Sequence, residues 1–213
     1  MLPDPAILLP FTLAVVVIAL TPGPDMTFFL GRALTQGRAA GLAAVAGAGT
    51  GLLVHTLLVS LGVSALIVAA PTLFTALKVA GALYLLWLAA QAIRRGSALL
   101  LPREPGSARS LAGTWASGVA VNILNPKVAL FFLTFLPQFV SAGDPNAVAQ
   151  LFALGTIFVL IGSAINLAIV LAADRFAAGM RRNPRIARAM DWLFASIFAA
   201  FAAQLLLART RGR

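Results

Sequence analysis

The chain contains no cysteine in 213 residues, so disulfides and thiolate metal sites are excluded. It has a single histidine, His55, and only six acidic residues. An enzyme buried in a membrane needs a nucleophile with its base, or a metal cluster, and this inventory is poor in both. No phosphate-binding P-loop is present, which excludes ATP coupling within the chain. Charge is scarce as a whole, at 10% of residues against about 25% in an average soluble domain. No basic segment precedes the first apolar run at Met1-Leu2-Pro3-Asp4-Pro5, so that run reads as a retained span and not as a signal peptide. The longest polar stretch, Arg94 to Arg109, is too short to hold a core, and no soluble domain is evident. The repeated polar faces of a channel are missing too.

What the chain does have is apolar length. Hydrophobic residues make up 61% and the mean hydropathy is +0.96. With about 20 apolar residues per bilayer-spanning helix, about six spans are expected, near residues 6–31, 39–69, 72–93, 112–140, 147–174 and 190–208. The run from 39 to 93 is long enough for two helices, and Pro71 suits the start of the second. The net charge of +10 sits in the links between spans. Arg32 and Arg38 lie in the first link, Arg94, Arg95, Arg103 and Arg109 in the third, and Arg181, Arg182, Arg185 and Arg188 in the fifth. The second link has no basic residue and the fourth carries only Asp144. This is a positive-inside pattern, not a nucleic-acid surface. It places the odd links in the cytoplasm and both termini outside, although Arg209, Arg211 and Arg213 in the tail run against that orientation.

Two spans are interrupted. Thr21-Pro22-Gly23-Pro24-Asp25 breaks the first, and Asn125-Pro126-Lys127 breaks the fourth. Proline removes an amide donor and clashes with the preceding turn. Backbone groups freed in this way are tolerated at membrane depth only against protein or a watery cavity. Matching interruptions in two halves of a chain mark a transporter's binding site. Pro22 and Pro126 lie 104 positions apart, as do Gly51 and Gly155. With three spans per half, the second half enters from the opposite side. The expected fold is therefore an all-α membrane protein in one transmembrane domain, residues 1–213. It divides into two inverted three-helix repeats, 1–107 and 108–213, with helices 1 and 4 broken.

The segment from Gly118 to Phe139, GVAVNILNPKVALFFLTFLPQF, closely resembles the fourth-helix motif of the LysE/RhtB amino-acid exporters. Thr21 to Met26, TPGPDM, resembles that family's first-helix motif, in the form of its homoserine/threonine-type branch. Gln36 to Leu42 with Gly47, Gly49 and Gly51 is similar to its second helix, and Leu77 to Leu85 to its third. The last two helices match only in hydropathy and length. The resemblance implies export of amino acids across a bacterial-type inner membrane, driven by the proton gradient.

The motif residues suit such a cargo. A half-helix that begins after a break offers unpaired amides and a positive dipole end to a carboxylate. Gly23 permits a sharp turn and a close approach. Asn122 and Asn125 supply amide donors and acceptors, and Asp25 is the one carboxylate well inside a span. Thr21, Pro22, Gly23, Pro24, Asp25, Asn122, Asn125, Pro126 and Lys127 are thus the candidate substrate-binding residues. Asp25 and Lys127 read either as a proton switch or as a structural salt bridge, with Asp25 capping its own half-helix as a further alternative. His55, whose ordinary pKa is near ~6.5, is the second proton-coupling candidate; its other reading is a packed, hydrogen-bonded side chain. Lys78 reads as snorkelling or as part of the substrate path. The glycines of the second span read as packing sites or as backbone open to the cavity, and Asn166 as an interhelical hydrogen-bond former.

A secondary exporter explains these features best. Neutral, zwitterionic amino acids such as threonine, homoserine or leucine-like substrates are the expected cargo; basic amino acids or a metal cation are the alternative. No cofactor and no metal site are implied. The partners are the amino-acid substrate, protons and membrane lipid, with no nucleic acid; a homodimer is compatible with the sequence. The orientation is testable because the chain has no native cysteine. A single cysteine introduced between Arg94 and Arg109 should react with a membrane-impermeant maleimide only from the cytoplasmic side, and one at Asp144 only from outside. The reverse labelling would overturn the assignment.

Overall fold

The computed structural model describes residues 5–63, 71–95, 110–140 and 144–175, and single residues between 178 and 203. Among these every regular element is helical. Helix α1 (Pro5–Leu20) stops at Thr21-Pro22-Gly23, and α2 (Pro24–Gln36) restarts with proline in its first turn. Gly37, at φ +86°, turns the chain from α2 into α3 (Arg38–Leu58), a conformation that a side chain would resist. Helix α3 runs on as a π turn, Val59–Val63. Helix α4 (Pro71–Arg95) starts at the proline that divides the long apolar run. The Ser110 hydroxyl accepts from Gly113 N at 3.1 Å and starts α5 (Leu111–Ile123). After the second break comes α6 (Pro126–Leu130), which continues as a π segment, Phe131–Phe135, and a 3₁₀ turn, Leu136–Phe139. Helix α7 (Ala147–Leu171) follows.

Among the described residues, Arg38–Gly62 and Ala147–Leu171 are each long and apolar enough to cross a membrane. Two bent pairs reach that length together: Ile7–Leu20 with Pro24–Gln36, bent by 52°, and Leu111–Ile123 with Pro126–Phe139, bent by 49°. Both interruptions read from the sequence are therefore real bends of similar size. Of the expected sixth span, near 190–208, only single helical residues are described, and most of the third link and the Lys78 side chain lie outside the described residues.

Helix α3 is the hub, packed against α2, α5 and α7. Its glycines allow this. A Cβ on Gly47 would stand 3.0 Å from Gly118 Cα, and one on Gly118 would stand 2.5 Å from Ala44 O. The backbones of α3 and α5 thus touch, as small residues permit inside membranes. On α7, a Cβ at Gly155 would stand 2.5 Å from Thr56 Cγ2. Two buried clusters lie on either side of the breaks. One is aromatic, with Phe11, Phe132, Phe135 and Phe158 each against Phe131; the other joins Met26, Phe29 and Leu30 to Val45, Ile169 and Val170. Leu9, Leu13, Leu61 and Leu160 point outward, an apolar exterior that fits lipid. Trp87 is half-exposed with its ring beside Tyr84, at 5.2 Å between centroids, in keeping with an interfacial anchor.

The α3–α5 contact makes a quantitative prediction. Gly47→Val or Gly118→Val should each lower stability by about 2 kcal/mol or more, since backbone atoms cannot yield as a flexible side chain can. Gly31→Ala, where an added Cβ meets nothing within 4 Å, should be neutral or slightly stabilising. Thermal melting of the purified proteins in detergent decides; equal melting temperatures for all three would refute the packing account.

Candidate substrate site at the two helix breaks

At the first break the missing proline amide sets the chemistry. In an uninterrupted helix, the amide of residue 22 would pair with Ile18 O, and Pro22 has none to give. Thr21 N reaches back to Val17 O at 3.0 Å and to Ile18 O at 3.3 Å, and the Thr21 hydroxyl donates to Val17 O at 2.7 Å. The remaining demand is met from the other broken helix: Lys127 Nζ donates to Ile18 O at 3.2 Å and to Thr21 O at 2.9 Å. Gly23 leaves the room for it. A Cβ there would stand 3.2 Å from Lys127 Nζ and 3.4 Å from its Cε.

The second break repeats the problem with different partners. Pro126 denies an amide to Asn122 O, which lies 104 positions after Ile18, the same offset that separates the prolines. Asn125 N donates to Asn122 O at 3.0 Å, and His55 Nε2 approaches the same oxygen at 3.4 Å. A carbonyl only accepts, so the hydrogen lies on Nε2. The imidazole also stacks on Phe132, 5.5 Å between centroids. His55 is thus a buried, hydrogen-bonded side chain that supports the break. Asn125 Oδ1 accepts from Lys127 N at 3.1 Å and caps the restarted helix.

The two breaks meet at Asp25. Asn122 Nδ2 donates to Asp25 Oδ2 at 2.8 Å. Gly51 makes this possible, because a Cβ on it would stand 2.6 Å from Asn122 Oδ1. Asp25 and Lys127 feel each other's charge but do not form a direct ion pair; each is held by other groups, Lys127 by carbonyls and Asp25 by Asn122. Nor does Asp25 cap its own helix: Gly23 holds the cap position without a side-chain bond. Three buried polar atoms at this junction have no partner: Asp25 Oδ1, Asn122 Oδ1 and Asn125 Nδ2. Asn125 lies beside Asp25, yet its Nδ2 makes no hydrogen bond of proper geometry.

A cavity of about 30 Å³ opens between the breaks, enough for a water or two and too small for an amino acid. Thr21, Asp25, Asn122 and Lys127 form its polar side, while Ile18, Met26, Phe29, Leu52, Val128 and Phe158 form most of the rest. Of the candidates read from the sequence, Pro22, Gly23, Pro24, Asn125 and Pro126 do not line it; they shape the bends and place those that do. The sequence reading assigned Asn166 to helix–helix bonding. Among the described residues its side chain has no such partner, and it lines the cavity instead. Phe158, Gly162 and Asn166 recur every fourth residue on α7, a one-face pattern from which their place on a cavity wall was readable.

Residues 16–209 match the family model described as LysE type translocator. The chain is 31% identical to an uncharacterized membrane protein of Pseudomonas aeruginosa, over 93% of this chain and 94% of the relative. It is 29% identical to a homoserine/homoserine lactone efflux protein of Salmonella typhimurium, over 93% and 95% respectively. It is 30% identical to a leucine efflux protein of an Enterobacter strain, over 88% and 89%. No solved structure matches it. With its paired helix breaks and a family match over nearly its whole length, the chain belongs to the LysE type translocator family, as a membrane transporter and not an enzyme.

Proposed function

We infer that the protein exports neutral, zwitterionic amino acids across the inner membrane in exchange for protons, and that the junction of the two breaks binds the cargo. The observation that carries this is the set of unpartnered buried atoms on Asp25, Asn122 and Asn125. Leaving such groups unpaired costs about 1–3 kcal/mol each, so a ligand that satisfies them binds with that gain. Asp25 Oδ1 and Asn122 Oδ1 accept from the substrate ammonium. The third N–H of Lys127 donates to the substrate carboxylate, and Asn125 Nδ2, outside the present cavity, joins it once the breaks part. Asp25 is the only acid among the cavity-lining residues, which favours a neutral side chain over a basic one and leaves too few hard ligands for a metal cation. The largely apolar remainder accepts a leucine-like or short hydroxylated side chain, in line with the relatives named for leucine and homoserine efflux.

Antiport follows from one carboxylate with two mutually exclusive occupants. Asp25 holds either a proton or the substrate ammonium, so the outward passage of one is exchanged for the inward passage of the other. His55 acts through Asn122, whose carbonyl it contacts and whose side chain holds Asp25. The bends of 52° and 49° at positions 104 apart support two inverted three-helix repeats within one transmembrane domain. Because the cavity is smaller than the cargo, loading requires the broken helices to part.

Two substitutions test the reading in vesicles preloaded with a mixed amino-acid pool. Asp25→Asn keeps the shape and an acceptor for Asn122 but neither titrates nor neutralises an ammonium. It should melt near the wild-type temperature and lose efflux driven by a pH gradient by about tenfold or more, the worth of a charge-assisted bond. Full proton-coupled efflux by this variant would refute the assignment of Asp25. Wild-type efflux confined to lysine and arginine would refute the cargo class. Gly51→Ala forces Asn122 away from Asp25; efflux should fall about tenfold while the protein still folds. An unchanged rate would show that the Asn122–Asp25 contact is dispensable.

A further inference from the structure

Lys127 is a buried cation whose two bonds within the described residues go to main-chain oxygens and not to the nearby carboxylate. Its position is informative. Ile18 O and Thr21 O belong to the C-terminal end of α1, where the helix dipole is negative and the ladder has been opened by Pro22. Carbonyls at the end of a broken half-helix are the ligands that transporters use for monovalent cations. Here two such oxygens converge on an ammonium 2.9 Å and 3.2 Å away. Two further oxygens with no partner, Asp25 Oδ1 and Asn122 Oδ1, belong to side chains that line the same cavity as Lys127. The Thr21 hydroxyl spends its hydrogen on Val17 O, which leaves its lone pairs available. At Gly23 no side chain obstructs the position.

We propose that the end of α1 is a monovalent-cation site whose resident cation is the Lys127 ammonium, supplied by the second broken helix, and that a free sodium ion takes the same place when that side chain is removed. The tether has a consequence that a free ion lacks. It fastens the first broken helix to the second, so occupancy of the site and contact between the breaks are one event. It also makes the intact protein independent of sodium.

The test is the melting temperature of the purified protein in sodium chloride, methylammonium chloride and choline chloride at equal ionic strength. The wild type should melt alike in all three, as should Lys127→Arg, whose charge is permanent. Lys127→Ala should melt lower in choline and regain about 5 °C in sodium or methylammonium, the shift expected of a ligand well above its Kd. Should Lys127→Ala yield no folded protein, Lys127→Gln, which can satisfy only part of the demand, enters the same series with the same expectation. The proposal fails if the neutral variant is as stable as wild type in choline, since the carbonyls would then need no cation. It fails also if the variant stays low in every salt, or if the wild type itself melts higher in sodium.

Discussion

Two absent amides organise this protein. Pro22 and Pro126 each leave a carbonyl one turn earlier without its helical donor, at Ile18 and at Asn122. In water such a group would be solvated at little cost. In a membrane it must be met by protein, at a price of about 1–3 kcal/mol if it is not. The chain meets each partly with the amide three residues on, Thr21 N and Asn125 N, and adds a donor from a distant helix, Lys127 at Ile18 O and His55 at Asn122 O. Those two bonds bring together α1, α3, α5 and α6, and they bring Asp25 to Asn122. The bends, the cavity and the glycine-lined approach of α3 are the geometry that lets these donors arrive.

This explains what was legible beforehand. Proline, glycine and charge inside apolar runs are local signals, so both breaks, their residues and the start of α4 at Pro71 could be read directly. The family motifs carried the same information. The partner of each group was not legible, because it depends on which helices cross. A lysine and an aspartate in matching places suggest a salt bridge. The fold instead sends the lysine to carbonyls, whose positions no side-chain pattern records. His55 has no polar neighbour in sequence that explains it; its reason is an oxygen 67 positions away. Gly51 and Gly118 read only as small, although one admits Asn122 and the other the α3 backbone.

Asn122 is the residue on which the two functions of the junction converge. Its carbonyl is a structural acceptor for His55 and Asn125, and its side chain is the donor that fixes Asp25. A movement that opens the second break therefore moves the Asn122 side chain that donates to Asp25. In the binding mode proposed above, substrate contact and helix geometry are linked through one residue, as a transporter needs if binding is to bias a conformational equilibrium.

The two breaks are alike in backbone and unlike in chemistry. Equivalent carbonyls, offset by 104 positions, receive a long-stemmed lysine at one break and a packed imidazole at the other. The imidazole is clamped by its stack on Phe132 and by a helix with little room to move, because α3 touches its neighbours backbone to backbone. The lysine has four methylenes between its charge and α6, and beside its head Gly23 carries no side chain to confine it. The first break is thus held by a long side chain that can follow a shift of its carbonyls. The second is held by a short rigid one that cannot. A shift of the first break can therefore occur while Ile18 O and Thr21 O keep their donor. The first break is accordingly the more adjustable of the two, and the second is anchored to α3 through His55.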